Sequence, residues 1–482
     1  MPNNFYITTT LPYVNAKPHI GFALEIVQAD VISHYRRIKG DNVFFNTGTD
    51  EHGLKIYKKA LEEKKDPQAY CDEYAAKFDD LKKALNLSYD NFIRTTDKHH
   101  IEAAQEFWLR CQKNGDIYKK NYKVKYCVGC ELEKIESELL GGKCELHPNL
   151  ELESIDEENY FFRFSKYEDK LLKLYENKNF VLPEFRLNEI RKFAERGLED
   201  FSVSRLKSKM PWGAPVPGDH DHVMYVWFDA LINYISCLGW PENTKNFEQW
   251  WPGVQIAGKD NLRQQTAMWQ AMLMSAGLPT SKQVLIHGFI TSGGQKMSKS
   301  LGNVVDPIKY IQKYGTDAVR YYLLSGITPF EDGDFTKEKF EQKYTADLAN
   351  GLGNLVSRIT TLVEKNSLDI SLTLGRNKQL VEDVDKKMAE YKFNEALSIL
   401  WNKFSECDEE ITKKEPWKIN DKDELKLMLE PIVQKALNAA DLLQPFLPET
   451  AEKIIKNLTQ DKIKKSEILF PRLQDTSSSR EF

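Results

Sequence analysis

Within its first 65 residues the chain alternates two kinds of segment twice over, and that alternation limits the fold more than any other feature. "NNFYITTTLPYVN" is β-branched and aromatic and turns at Pro12; "HIGFALEIVQADVISHYRRIKG" follows with apolar residues at helical spacing and a closing glycine. "NVFFNTGTDEHG" repeats the pattern as a short apolar strand running into a polar, glycine-bounded loop, and the helical "LKIYKKALEEKK" follows it. Strand, loop and helix taken twice argue for a parallel α/β sheet, Rossmann-like in class. Ligands of such sheets bind at the carboxyl ends of the strands, where Tyr13, His19 and Asp50 emerge.

From about Tyr118 the pattern changes to short strands and turns ("KKNYKVKYCVGC", "NYFFRFS"), with helices between Lys166 and Arg196, ending near "MPWGAPVPGD". Strand and helix alternation then resumes through "HVMYVWFDALINYISCLGW", "GVQIAGKDNLRQQTAMWQAMLMSAG" and "QVLIHGFITSGGQKMSKS". One nucleotide-binding fold split around an insert accounts for this, with residues 1–117 and 219–334 as its halves and 118–218 as the insert. Beyond Asp334 the chain is charged, glycine-poor and helical in period, which reads as an antiparallel helical bundle over residues 335–472. Residues 473–482, "LQDTSSSREF", form a disordered tail on this reading.

A length of 482 residues exceeds one core and fits two to four units. Lysine and arginine number 67 against 72 acids, a net charge of -5, so any nucleic-acid partner must use local patches. No apolar run is long enough for a membrane helix. "MPNNFYITTTLPYVN" lacks the charged-then-apolar order of a signal peptide, so a cytoplasmic location is expected. Of the seven cysteines, Cys127, Cys130 and Cys144 cluster. Cys127-x2-Cys130 and, thirteen residues on, Cys144-x2-His147 supply two pairs of soft thiolate and imidazole donors, the set that tetrahedral zinc prefers. Four ligands leave no open position, so a single structural zinc is expected; the alternative is a metal-free insert with buried thiols.

"GGQKMSKSLGN" sets Lys296 and Lys299 three residues apart beside the Gly293-Gly294 pair, in a polar loop that suits a polyanion. Alone it is an ordinary solvated turn. His19 and Gly21, at the mouth of a helix after a strand, offer imidazole and backbone N–H groups to an anion, and together the two segments could hold a triphosphate.

The pair resembles the HIGH and KMSKS signatures of class I aminoacyl-tRNA synthetases, here His19-Ile20-Gly21-Phe22 and Lys296-Met297-Ser298-Lys299-Ser300. "LPYVNAKPHIG", "GTDEHG", "YVWFDALINY", "GKDN" and "PWK" stand in the order of the methionyl-tRNA synthetase family, and the resemblance runs from about Phe5 to Arg472. It implies activation of L-methionine with ATP and magnesium, then transfer of methionyl to the 3′ end of tRNA(Met), with His19, Lys296 and Lys299 stabilising the transferred charge. Asp50 would pair with the amino group, while Leu11, Tyr13, Trp227, Tyr234, Asn261 and Gln265 would form the methionine pocket. His19, Gly21, Gly258, Asp260, Lys296 and Lys299 would bind ATP. Asn354, Arg358 and Trp417 match the positions that the family uses to read the anticodon, and the metal site resembles the one-knuckle form of its connective insert. Taken alone, Trp227 and Tyr234 read as core packing and Trp417 as a helix anchor.

Two departures stand out: Phe22 replaces the second histidine of the first signature, and Gln265 stands where many members have a histidine. Two other readings compete. A cysteinyl-type relative would bind its substrate through an active-site zinc, and a non-catalytic tRNA-binding paralogue would keep the fold without activation. No appended dimerisation domain follows the helical third, so a monomer is expected.

Overall fold

The computed structural model describes residues 2–130, 132–134, 139–297, 302–375 and 377–473. The chain forms two compact units: one of residues 1–18, 40–80 and 89–286, the other of residues 19–39, 81–88 and 287–482.

The first unit is built on a six-stranded sheet. Its strands are β1 (Asn4–Thr9), β2 (Asn42–Thr49), β3 (Asn91–Arg94), β4 (Val181–Leu182), β5 (Val254–Gly258) and β6 (Gln283–His287), in the order β3-β2-β1-β5-β6-β4. The β1–β2, β1–β5, β2–β3 and β6–β4 pairs are parallel, with Ile7 opposite both Phe45 and Val254. Strand β1 is buried along all but its first residue, as expected for a parallel strand covered on both faces. The order reverses at β1, so the sheet has its switch point where β1 and β5 end. Polar residues crowd this end in buried pairs: the Thr9 and Thr47 hydroxyls lie 2.8 Å apart, and the Asn46 amide donates to Thr8 Oγ1 at 3.2 Å.

Residues 118–218, expected as an insert, are not one structural piece. Strands Ile117–Cys127 and Glu153–Phe162 form a long antiparallel hairpin, paired from Ile117 with Phe162 to Tyr126 with Glu153. Its lysine side, from Lys119 to Lys125, is exposed, as a solvated face requires. Val181–Leu182, by contrast, adds an edge strand to the main sheet. The helix Glu184–Glu195 sends Leu187, Ile190 and Ala194 into the same apolar core as Val284 and Ile286. Burial of these side chains draws the segment back to the sheet.

In the second unit, helix Ile20–Ile38 groups with the C-terminal helices, although its flanking strands belong to the first. A buried ion pair ties it there: Arg320 Nη1 lies 2.7 Å from Asp30 Oδ2, and both side chains are 0% exposed. The Arg320 guanidinium also donates to the carbonyls of Leu85, Pro445 and Phe446 at 2.9 to 3.0 Å. Helices Asn354–Lys365, Lys378–Ala389, Phe393–Lys414, Lys422–Leu443 and Pro448–Leu458 follow. Leu397, Leu400, Phe404, Cys407 and Ile411 line one buried stripe of Phe393–Lys414 at alternating spacings of three and four, the seam of an antiparallel bundle. Among the described residues no helix is long and apolar enough to cross a membrane. Of the tail 473–482, all but Leu473 lies outside the described residues.

Candidate active site

At the switch point a small cavity is lined by Thr10 and Leu11 after β1, Asp50 after β2, Asn261 after β5, and Gln265. Trp227, Ala230, Leu231, Asn233 and Tyr234 close it from the helices Val226–Ala230 and Asn233–Ser236 and the turn between them. The cavity measures about 30 Å³, room for one or two waters and not for an amino-acid side chain, so a ligand must part its walls. Asp50 is 2% exposed and its backbone is fixed: its N–H donates to Pro12 O at 3.0 Å, and Val14 N–H donates to its carbonyl at 3.2 Å. Tyr13 packs edge-on against Trp227, with ring centroids 6.4 Å apart, while the buried Trp227 indole N–H has no hydrogen-bond partner among the described residues.

His52 braces the Asp50 loop against the Trp227 helix through Asp229, and His100, from helix Lys98–Lys113, holds the same carboxylate. His52 Nδ1 lies 2.6 Å from Asp229 Oδ2, and His100 Nε2 lies 3.2 Å from Asp229 Oδ1. Full burial opposes ionisation of Asp229, but electrostatic attraction to the His52 ring and the hydrogen bonds from His100 and His52 outweigh it and hold the carboxyl well below the usual range.

The pocket floor is an amide. Gln265 sits in a π-helical turn, Gln264–Met268, a device that often re-aims a side chain at a functional site. Its Nε2 donates to the Tyr234 hydroxyl at 2.7 Å, and its Oε1 accepts from Gln255 Nε2 at 3.1 Å. The structure thus brings Leu11, Asp50, Trp227, Tyr234, Asn261 and Gln265 around one cavity, with Tyr13 against its wall. Gly258 ends β5 and Asp260 is exposed in the turn that follows, Lys259–Asn261.

The other signatures lie in the second unit. His19 caps helix Ile20–Ile38, and Gly21 N–H donates to its Nδ1 at 3.1 Å. That bond requires Nδ1 to be unprotonated, so in this geometry the ring is neutral with its proton on Nε2, a donor and not a cation. Gly21 is needed here because a Cβ would stand 2.9 Å from His19 Cε1. Phe22 is buried, which leaves its ring for packing. Lys296 is exposed on the strand Gln295–Lys296, paired with Ile290–Ser292. The glycine pair between them is a tight hairpin turn, with φ of 62° at Gly293 and 74° at Gly294, and not a loose bend. Gly294 N–H donates to Asp334 Oδ1 at 2.8 Å and Lys339 sits 2.8 Å from Oδ2; the two contacts hold this carboxyl below its usual range. Lys299 lies outside the described residues.

In the hairpin, Cys127, Cys130, Cys144 and His147 bring one ligand atom each to within 4.8 Å of one another. Cys130 Sγ is 3.4 Å from Cys144 Sγ and 3.2 Å from His147 Nδ1. Three sulfurs and one imidazole at this spacing fit a closed tetrahedral metal site, and among the described residues no other such group occurs.

Residues 5–147 and 129–360 match the family model for tRNA synthetases class I (M), and residues 373–479 match the anticodon-binding domain of tRNA ligase. The chain belongs to the class I methionyl-tRNA synthetase family. It is 42% identical over 474 residues to the methionine–tRNA ligase of Thermotoga maritima, covering 94% of this chain and 75% of that protein. To the enzyme of Nostoc it is 41% identical over 476 residues, covering 94% and 89%. The structure of Mycobacterium tuberculosis methionyl-tRNA synthetase in complex with methionyl-adenylate superposes with a TM-score of 0.89 at 34% identity, covering 98% of this chain and 99% of that one.

In this synthetase the helical third carries the remaining expected residues. Trp417 is 54% exposed and follows Glu415 and Pro416, where a left-handed residue and a proline stop helix Phe393–Lys414. The Arg358 guanidinium lies over its ring at 5.2 Å and pairs with Asp408 at 2.8 Å. Asn354 is exposed one turn before Arg358 on the same helix.

The sequence reading missed Thr10, Ala230, Leu231 and Asn233 around the cavity and Gln255 behind its floor. Asn233 had a visible signal, since it lies inside "YVWFDALINY" and its amide holds the turn by donating to Ala230 O at 2.7 Å.

Proposed function

We propose that this chain activates L-methionine with ATP and transfers the methionyl group to the 3′ end of tRNA(Met). The observation that carries the reading is the pocket: one buried carboxylate, Asp50, with aromatic walls and a floor of Gln265 and Tyr234. An ammonium group needs the first. A thioether, polarizable and weakly accepting, is recognised by the second.

In the first step the methionine carboxylate attacks the α-phosphorus of ATP, the P–O bond to pyrophosphate breaks, and methionyl-adenylate forms. The Nε2–H of His19 donates to phosphate oxygens, while Lys296 and Lys299 balance the charge that moves onto pyrophosphate. Gly21 lets the imidazole fold back on its helix; Gly258 and Asp260 serve the nucleoside, the carboxylate accepting from ribose hydroxyls. Bound magnesium would supply further charge neutralisation on the leaving pyrophosphate. In the second step a ribose hydroxyl of the terminal adenosine attacks the methionyl carbonyl, AMP leaves, and the hydroxyl proton passes to solvent or phosphate. Positioning and electrostatics suffice, with no side-chain nucleophile.

For the anticodon, Trp417 offers a stacking face, and Asn354 and Arg358 offer edges to hydrogen-bond unstacked bases. ATP–pyrophosphate exchange across methionine, cysteine, leucine and homocysteine tests the reading: strong dependence on methionine is expected. Trp417→Ala is expected to leave that exchange unchanged while lowering tRNA charging about tenfold to a hundredfold. No exchange with any amino acid from folded protein would favour the tRNA-binding paralogue.

One zinc ion held by Cys127, Cys130, Cys144 and His147 would stiffen the hairpin tip. Gly129 makes room for the His147 ring, because a Cβ there would lie 2.5 Å from His147 Cγ. Gly129→Ala is therefore expected to displace the ring and weaken zinc binding about tenfold to a hundredfold in competition with a chelator. Unchanged affinity would remove His147 from the ligand set.

A further inference from the structure

Behind the pocket floor lies a chain of buried polar side chains whose direction is set by the backbone. It begins at Ser281, whose backbone N–H donates to Gln270 Oε1 at 2.9 Å. A backbone N–H can only donate, so this end of the Gln270 amide must be its oxygen. The other end, Nε2, donates to the carbonyl of Gln265 at 2.8 Å and to Ser281 Oγ at 3.0 Å, and a carbonyl can only accept. Gln270 is thus fixed twice. The Ser281 hydroxyl, accepting from Gln270, turns its own hydrogen to Gln255 Oε1. Gln255 then presents Nε2 to Gln265 Oε1 at 3.1 Å, and Gln265 presents Nε2 to the Tyr234 hydroxyl at 2.7 Å.

An amide's two ends are told apart by their partners: backbone groups fix Gln270, and the Ser281 hydroxyl, donating to Gln255 Oε1, carries that direction on to Gln265. All five residues are buried. At the end of the chain the Tyr234 oxygen accepts, so its hydrogen is turned away from Gln265; Tyr234 itself lines the cavity.

We propose that Gln255, Gln270 and Ser281 are positioning residues for substrate choice: they lock the Gln265 amide as a donor, so that the Tyr234 hydroxyl gives its hydrogen to the ligand's sulfur. The inference rests on the methionine reading of the pocket. Its logic is polarity. Were the Gln265 amide reversed, its oxygen would take the Tyr234 hydrogen, and the pocket would lose the donor that separates a thioether from a methylene. The imidazole that many family members carry at position 265 would need no such lock, since one ring nitrogen can donate wherever the ring points.

The test compares methionine with norleucine, which replaces sulfur by a methylene, as substrates for ATP–pyrophosphate exchange. Ser281→Ala removes the link between Gln270 and Gln255 with the least change of volume; Gln255→Met removes the donor to Gln265 at similar volume. For Gln255→Met, kcat/KM for methionine is expected to fall about tenfold, the worth of one hydrogen bond, through KM. The norleucine value changes less than about twofold, since it never used that bond. Ser281→Ala moves the ratio in the same direction by a smaller factor, in a protein whose circular dichroism matches the unaltered chain. Parallel loss with both substrates, or an unchanged ratio in both variants, would mean that the chain is packing only and overturns the proposal. Absence of methionine-dependent exchange in the unaltered protein overturns the methionine reading itself.

Discussion

Asp50→Asn is expected to lower kcat/KM for methionine in pyrophosphate exchange by about two to three orders of magnitude, with KM for ATP unchanged. Asparagine keeps the size of the side chain and one acceptor oxygen, so the substitution removes charge and little else. Asp50 is 2% exposed at the end of β2, and the Pro12 and Val14 backbone bonds hold its main chain whatever the side chain is. A substrate ammonium group entering this site leaves water and meets no carboxylate in the variant. Leaving one member of a buried charged pair without its partner costs about 2–5 kcal/mol, which sets the size of the effect. The loss falls on methionine because the proposed role of Asp50 is to pair with the amino group alone. A fall of less than tenfold would place the ammonium group elsewhere.

The position of Asp50 was within reach of the sequence, because it closes a predicted strand and strand ends are where such sheets bind ligands; its pairing with the amino group is what the family resemblance implies. The cysteine and histidine spacing was legible for a similar reason: ligand geometry is local, and Cys127 to His147 lie on one hairpin. What escaped was long-range. Gln255 sits mid-strand on β5, where a pattern reading sees a core position, and its partner Ser281 is 26 residues away. Val181–Leu182 is too short to signal a strand by itself and becomes one only by pairing with Val284 and Leu285. The protonation of His19 is likewise a property of the folded cap: the sequence offers an imidazole at a helix mouth, and the Gly21 N–H decides that it is a neutral donor. Helix Ile20–Ile38 follows β1 in a pattern that assigns it to the sheet, yet Asp30 on its buried face finds Arg320 nearly three hundred residues on.

Arg320→Met is expected to destabilise the second unit by about 3–5 kcal/mol, because it leaves Asp30 charged and buried without its partner. In calorimetry the unfolding of that unit falls by about 10 °C. Asp30 keeps two donors, Ser88 N–H at 2.7 Å and Ser88 Oγ at 2.8 Å, but neither carries charge. The carbonyls of Leu85, Pro445 and Phe446 lose their guanidinium donor as well. Removing both charges together, in Arg320→Met with Asp30→Leu, is expected to recover most of the loss, since a buried pair replaced by apolar side chains is often near neutral. If the double variant is as unstable as the single, the carbonyl contacts and not the ion pair hold the unit. The consequence for activity follows from connectivity. Asp30 lies on the helix that His19 caps, and Arg320 ties that helix to the loop after the bundle's long helix Lys422–Leu443. Loosening the tie lets the His19 cap shift while leaving the first unit's pocket intact, so Arg320→Met lowers kcat for pyrophosphate exchange in the folded fraction and leaves KM for methionine unchanged.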